Sequence, residues 1–270
     1  MFVTLAGRII QRKQKIKNLI TQEYRIFAFM LAVRLFTIIL LFSLWFGAAK
    51  AQTQFSGWLA TFNTIKTGKK TSIHADVQFR SNNDWQQMQT LLLRPGINYH
   101  VNKKLTLTAG YAYIRNRKIV GDIAGHITEH RIWEQLLYNH EWKNIRISHR
   151  FRIEQRFIGK TVVLGNPLSD GPNYANRFRY FLRNILPLKK ETTFSKGPFI
   201  ALQNELFLNF GNKSDVNGKT FDQNRFYLAF GQRFHSTFDL ELGYMNQYIN
   251  GKGSQFTNNH IIQVATYLRL

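Results

Sequence analysis

The segment Ile145–Phe157, IRISHRFRIEQRF, limits what this chain can fold into more than any other stretch. Taken two residues at a time, Ile145, Ile147, Phe151, Ile153 and Phe157 fall on one side. Arg146, Ser148, Arg150, Arg152, Glu154 and Arg156 fall on the other. Successive side chains of a strand point to opposite faces, so this is a strand with an oily face and a charged face. A helix would scatter the arginines round its axis. His149 and Gln155 interrupt the oily face.

The N-terminus reads as an address. Leu31–Phe46 is apolar apart from Arg34, and Ala49-Lys50-Ala51 follows with small residues at the two positions a signal peptidase reads. The pattern predicts a secretory signal peptide over residues 1–51, with cleavage after Ala51. Its uninterrupted core, Leu35–Phe46, is too short for an ordinary transmembrane helix. The segment from Met30 is a complete signal peptide by itself, so the expected true start is Met30.

From residue 52 onward the chain carries 29 Lys+Arg and 14 Asp+Glu, a net charge of +15. Such a balance ordinarily suggests nucleic acid or an anionic surface. Here the arginines alternate with aromatic and aliphatic residues inside strand-like runs and form no single patch, which argues against nucleic acid. The absence of cysteine excludes disulfides, thiolate metal sites and cysteine catalysis.

Eleven strand-like segments follow Gln54, with no convincing amphipathic helix. Phe55–Ile65 has Trp58, Ala60 and Phe62 in register. Lys69–Arg80 sets Ile73, Val77 and Phe79 against Ser72, His74, Asp76, Gln78 and Arg80. In Gln86–Val101, Leu91, Leu93, Ile97 and Tyr99 oppose Arg94, Asn98 and His100, and Pro95-Gly96 predicts a bulge or bend. Leu105–Tyr113 alternates cleanly. A polar loop is expected over about 116–128, and the faces of His130–Trp142 are not assignable. Beyond the central strand, Arg177, Arg179 and Arg183 oppose Phe178, Tyr180 and Leu182. Glu205 opposes Leu206, Arg225 and Arg233 oppose Phe226 and Phe234, and Asp239 and Glu241 oppose Leu240 and Leu242.

These segments run to about 10–13 residues, against ~5–6 in soluble sheets and ~9–11 for a tilted membrane crossing. Connections near Asn102, Lys143 and His235 are short; those near Ile119, Leu164, Val216 and Gly253 are long. Short turns at one end and long loops at the other are the habit of outer-membrane barrels. Tyr99, Tyr113, Trp142, Tyr180, Tyr248 and Tyr267 lie near strand ends, where an interfacial girdle would sit. The expected fold is an all-β, antiparallel transmembrane β-barrel of about 10–12 strands filling residues 52–270. The even-number habit favours twelve, although eleven segments are counted.

The chain resembles an uncharacterised family (a domain of unknown function) of Gram-negative outer-membrane β-barrel proteins. The likeness covers most of Trp58–Leu270. It rests on the signal peptide, the Trp58 strand followed by Val77–Arg80 (VQFR), Leu105–Tyr111 (LTLTAGY), Arg131–Gln135 (RIWEQ) and Arg150–Phe157 (RFRIEQRF). The resemblance implies a fold and an outer-membrane location, and no activity.

If the oily faces meet lipid, the lumen is lined by Arg146, Arg150, Arg152, Glu154, Arg156, Arg177, Arg179, Arg183, Glu205, Arg225, Arg233, Asp239 and Glu241, with Asp76. Such a wall suggests a small porin-like barrel that admits or binds small anionic solutes, because like charges in a narrow channel focus potential. The alternative is a plugged barrel held rigid by Arg–carboxylate ladders. A lipid-modifying enzyme is a third reading. Its candidates would be His149 with Ser148 or His260 with Ser254. Ser148 and His149 are strand neighbours on opposite faces, Ser254 lies in a flexible loop, and no G-x-S-x-G elbow appears, so no enzyme is expected. His126 and His130 would share a metal only on a helix. No cofactor is expected. The remaining rival is a soluble, lipocalin-like barrel, with its oily faces turned inward and its arginines in water.

Overall fold

A computed structural model describes residues 51–120, 123–159, 162–163, 166–167, 171–189 and 194–270. The expected signal peptide before Ala51, and Met30 within it, lie outside the described residues.

Eleven strands form the wall: β1 (Ala51–Lys66), β2 (Thr71–Ser81), β3 (Met88–His100), β4 (Leu105–Val120), β5 (Ile123–Trp142), β6 (Ile145–Ile158), β7 (Asn173–Pro187), β8 (Gly197–Phe210), β9 (Phe221–His235), β10 (Phe238–Asn250) and β11 (Phe256–Arg269). Each pairs antiparallel with the next along the chain. The barrel closes where β1 pairs with β11 in parallel, from Ala51↔Phe256 to Thr64↔Arg269. The even count expected of the wall therefore does not hold. In an up-and-down meander of eleven strands the first and last run in the same direction, so closure demands a parallel seam. Two-residue strands Val162–Val163 and Asn166–Pro167 sit outside this wall.

The two ends differ. At one, β5 turns into β6 through residues 143–144 and β9 into β10 through residues 236–237; at the other, residues 211–220 join β8 to β9 and residues 159–172 join β6 to β7. The loop expected over 116–128 is instead a paired hairpin, from Asn116↔Ile127 to Val120↔Ile123. Its polar residues continue a ladder that stands above its neighbours.

The oily faces point outward, as Leu59, Ile97, Ile153, Phe230 and Leu242 illustrate, and the arginine-bearing faces point in. This is the reverse of a lipocalin-like barrel. Strand β1 departs from the simple rule. Its in-register pair Trp58 and Ala60 is buried inside, and Leu59 is outside. Tyr267 also points inward, its hydroxyl donating to Glu241 at 3.2 Å, so it is no part of an outer girdle. Tyr99 and Trp142 are exposed on the outside.

Of the bulge or bend expected at Pro95-Gly96, no bulge forms against β2, while on the β4 side the ladder skips Arg94 and Pro95 between Leu93↔Tyr113 and Gly96↔Gly110. Register with β2 runs unbroken through Ala75↔Pro95 and His74↔Gly96. Gly96 serves another purpose. With Gly110, its partner on β4, it forms a slot for the indole of Trp133. A Cβ on Gly96 would lie 2.8 Å from that ring, and one on Gly110 2.5 Å. Trp133 is fully buried on the inner face of β5, beside Gln135 and Glu129. An aromatic inside, with His130 and Glu134 outside, erases the alternation that would have assigned this strand's faces.

Candidate functional site

The lumen is built in two storeys. In the lower one, side chains bridge strands that are not neighbours. Arg183 of β7 pairs with Glu241 of β10 and stacks on the Tyr267 ring of β11 at 4.9 Å. Arg233 makes two hydrogen bonds to Asp239 (2.7 and 2.8 Å) and a third to the Phe194 carbonyl oxygen at 2.9 Å. Phe194, from the segment joining β7 to β8, meets Phe199 edge-on at 5.7 Å. Tyr227, Met245 and Ile261 complete an apolar cluster there.

At mid-height the barrel is crossed by a charged layer. Glu154 takes Arg177 at 2.7 Å and also pairs with Arg179. Glu205 takes Arg179 at 2.6 Å and Arg150 at 2.7 Å. Arg152 donates twice to the Gln135 oxygen (3.1 and 2.6 Å), lies 4.4 Å above the Trp133 ring, and is 3.9 Å from Glu154. Asp76 holds Arg94 at 3.3 Å and His74 at 3.0 Å. His74 meets Trp133 edge-on at 5.5 Å, so β2 and β5 touch across the interior. Burying charges so deeply is tolerable only because each is met by an opposite charge or a hydrogen-bonding partner.

Above this layer, at the end that carries residues 211–220, is a cup of about 530 Å³. Seven arginines line it, namely Arg80, Arg94, Arg131, Arg156, Arg177, Arg179 and Arg225, against the single carboxylate of Glu129. Glu129 takes Arg131 at 2.7 Å and Arg156 at 2.6 Å. Arg177 also reaches Asp222 at 3.0 Å. Among the described residues, Arg80 and Arg225 alone of the seven lack a carboxylate partner. Both share the Trp58 ring, Arg80 at 3.9 Å and Arg225 at 5.1 Å from its centroid. Arg225 also lies over Phe207 at 4.7 Å. Arg80 donates one hydrogen bond, to Gln78 at 2.7 Å, and its buried Nε has none. An arginine stacked on an aromatic face keeps its N–H edge free for a planar or tetrahedral oxoanion.

The sequence-predicted lumen residues thus separate into groups. Arg156, Arg177, Arg179 and Arg225 line the cup. Arg150, Arg152, Glu154 and Glu205 make the layer beneath it, and Arg183, Glu241, Arg233 and Asp239 occupy the lower storey. Arg146 lies near the short-turn rim, 3.1 Å from Glu141. Sequence reasoning did not place Arg94, Arg131, Glu129, Asp222 or the aromatic supports Trp58 and Phe207. Arg80 and Arg94 lie on the polar faces of their alternating strands, which is a usable signal. Arg131 and Glu129 belong to the strand that Trp133 obscures. Of the residues weighed for catalysis, Ser148 donates to Asn139 inside the barrel (2.7 Å) while His149 meets Tyr180 outside (2.9 Å). His126 and His130 lie on a strand, not the helix a shared metal would need.

Residues 55–258 match a family described as a protein of unknown function (DUF2490), and the chain belongs to that family. An uncharacterized protein of Methylorubrum extorquens is 26% identical over 196 residues, covering 72% of this chain and 79% of that protein. The family match spans nine complete wall strands, the charged layer and most of the residues that line the cup, and neither comparison carries an activity.

Proposed function

We propose that this member of the DUF2490 family is an outer-membrane barrel that binds a small anionic solute in its cup and does not conduct. A largely apolar exterior on strands of 11 to 20 residues supports the membrane assignment. Such a surface is unfavourable in water and matched to hydrocarbon. By the usual arrangement of long loops, the cup would open to the cell exterior. The single observation that carries the binding reading is the pair of carboxylate-free guanidiniums, Arg80 and Arg225, on one indole. Charge bridges between distant strands beneath the cup argue against passage.

Two measurements on the purified, refolded protein test this. In a planar bilayer across a salt gradient the inserted barrel should be silent. In detergent micelles, calorimetric titration with small oxoanions should give saturable binding that Arg80→Gln/Arg225→Gln abolishes. Discrete anion-selective steps would replace the binding reading with a pore. Absence of binding together with silence would leave a structural barrel.

A further inference from the structure

We infer that the solute taken by the cup is an acidic sugar: a single phosphate or carboxylate group carried on a polyhydroxylated body. This rests on the binding reading above and adds the chemistry of the rest of the ligand. The oxoanion end follows from the two guanidiniums without a carboxylate partner. Arg80 gives one donor to Gln78, Arg225 gives donors to the amide oxygens of Gln223 and Gln247, and the donors left over suit carboxylate and phosphate oxygens alike.

The body follows from three observations. The first is size. About 530 Å³ falls within the ~300–1,000 Å³ of small-molecule pockets, well beyond an inorganic oxoanion. The second is the state of the aromatic walls. Trp58 is covered by Arg80 and Arg225, and Phe207 by Arg177, Arg179 and Arg225 at 5.0, 4.4 and 4.7 Å. Among the described residues lining the cup, Trp58 and Phe207 are the aromatics, and both carry guanidiniums where a flat aromatic acid would stack. The third is a pair of neutral donors. The Asn116 side-chain oxygen accepts from Thr90 at 2.8 Å and that of Asn259 from Ser56 at 2.9 Å. Each amide is thereby pinned through its oxygen. Both line the cup, and among the described residues neither Nδ2 has a protein acceptor. Fixed neutral N–H donors at the edge of a cationic cup suit hydroxyl oxygens, which are neutral acceptors.

The test uses the full barrel in micelles, titrated calorimetrically with glucose 6-phosphate, glucuronate, glucose and inorganic phosphate. At least one sugar anion should bind about tenfold or more tightly than both inorganic phosphate and glucose; which one leads separates phosphate from carboxylate as the anionic end. In Asn116→Ala/Asn259→Ala the preferred sugar anion should weaken about tenfold while inorganic phosphate is unchanged. Competition of inorganic phosphate against the sugar anion on the wild-type barrel gives the same ranking without any variant. Inorganic phosphate binding as tightly as both sugar anions would overturn the sugar assignment and leave the anion cup standing. Binding by none of the four probes would overturn both.

Discussion

The cup and the lower storey use the same residue for opposite ends. Arg183 and Arg233 are held by Glu241 and Asp239, and each gives a further donor inside the wall, to Gln203 and to the Phe194 carbonyl. Arg80 and Arg225 stand on an indole with no carboxylate. An arginine whose charge is met internally is a strut. One with no carboxylate in ion-pair contact, held by an aromatic ring and amide oxygens, retains more of its attraction for an external anion. The number of lumenal arginines is therefore a poor guide to function, and the distribution of the few carboxylates is a better one.

The largest expected effect comes from removing a carboxylate that several guanidiniums share. Glu154→Ala strips a counter-charge from Arg177 and Arg179 together. Arg177 keeps Asp222 and Arg179 keeps Glu205, but the layer is left with one buried positive charge in excess, and removing one partner of a buried ion pair costs about 3–5 kcal/mol. The folded band on a heat-modifiability gel should disappear at a clearly lower temperature. The lower storey sharpens this through a pair. Glu241→Leu alone should cost as much, whereas Arg183→Met/Glu241→Leu should recover most of the loss, since an apolar pair of similar volume is often neutral. If the double variant is no better than the single, these residues do more than cancel each other.

A smaller effect is expected at the slot for Trp133. Gly96→Ala places a methyl 2.8 Å from the indole, and such overpacking costs about 1–3 kcal/mol. Trp133→Leu in the same chain should restore part of the loss in chemical denaturation, although it opens a void of its own. No restoration would mean that the backbone at Gly96, not its space, sets the requirement.

Much of this wall was legible because a two-residue period is local. Arg152 and Glu154 could be assigned to the inside from their neighbours alone. Three things were not local. Closure with an odd strand count depends on β1 and β11, which are distant in sequence and meet in parallel. Trp58 and Trp133 are apolar residues buried on the charged face, so an oily-out rule misplaces one and blurs the strand of the other. Which arginines lack a carboxylate depends on cross-barrel meetings such as Arg177 with Asp222, 45 residues apart. The alternation therefore identified the lumenal face and could not identify the cup.

The smallest expected change in stability decides whether cup and lower storey truly differ. Arg80→Gln gives up a stacking contact worth about 0.5–1 kcal/mol, yet it also relieves Arg225 of a like charge on the same ring. The two effects oppose, and the unfolding midpoint should move by no more than about 0.5 kcal/mol. Arg233→Gln in the lower storey takes a guanidinium from Asp239, which Arg269 also reaches at 2.8 Å, and removes a bond to the Phe194 carbonyl. Its cost should exceed that of Arg80→Gln severalfold. Equal losses would make Arg80 one more strut. A near-neutral Arg80→Gln that no longer binds a small oxoanion would mark a charge kept for a ligand rather than for the fold.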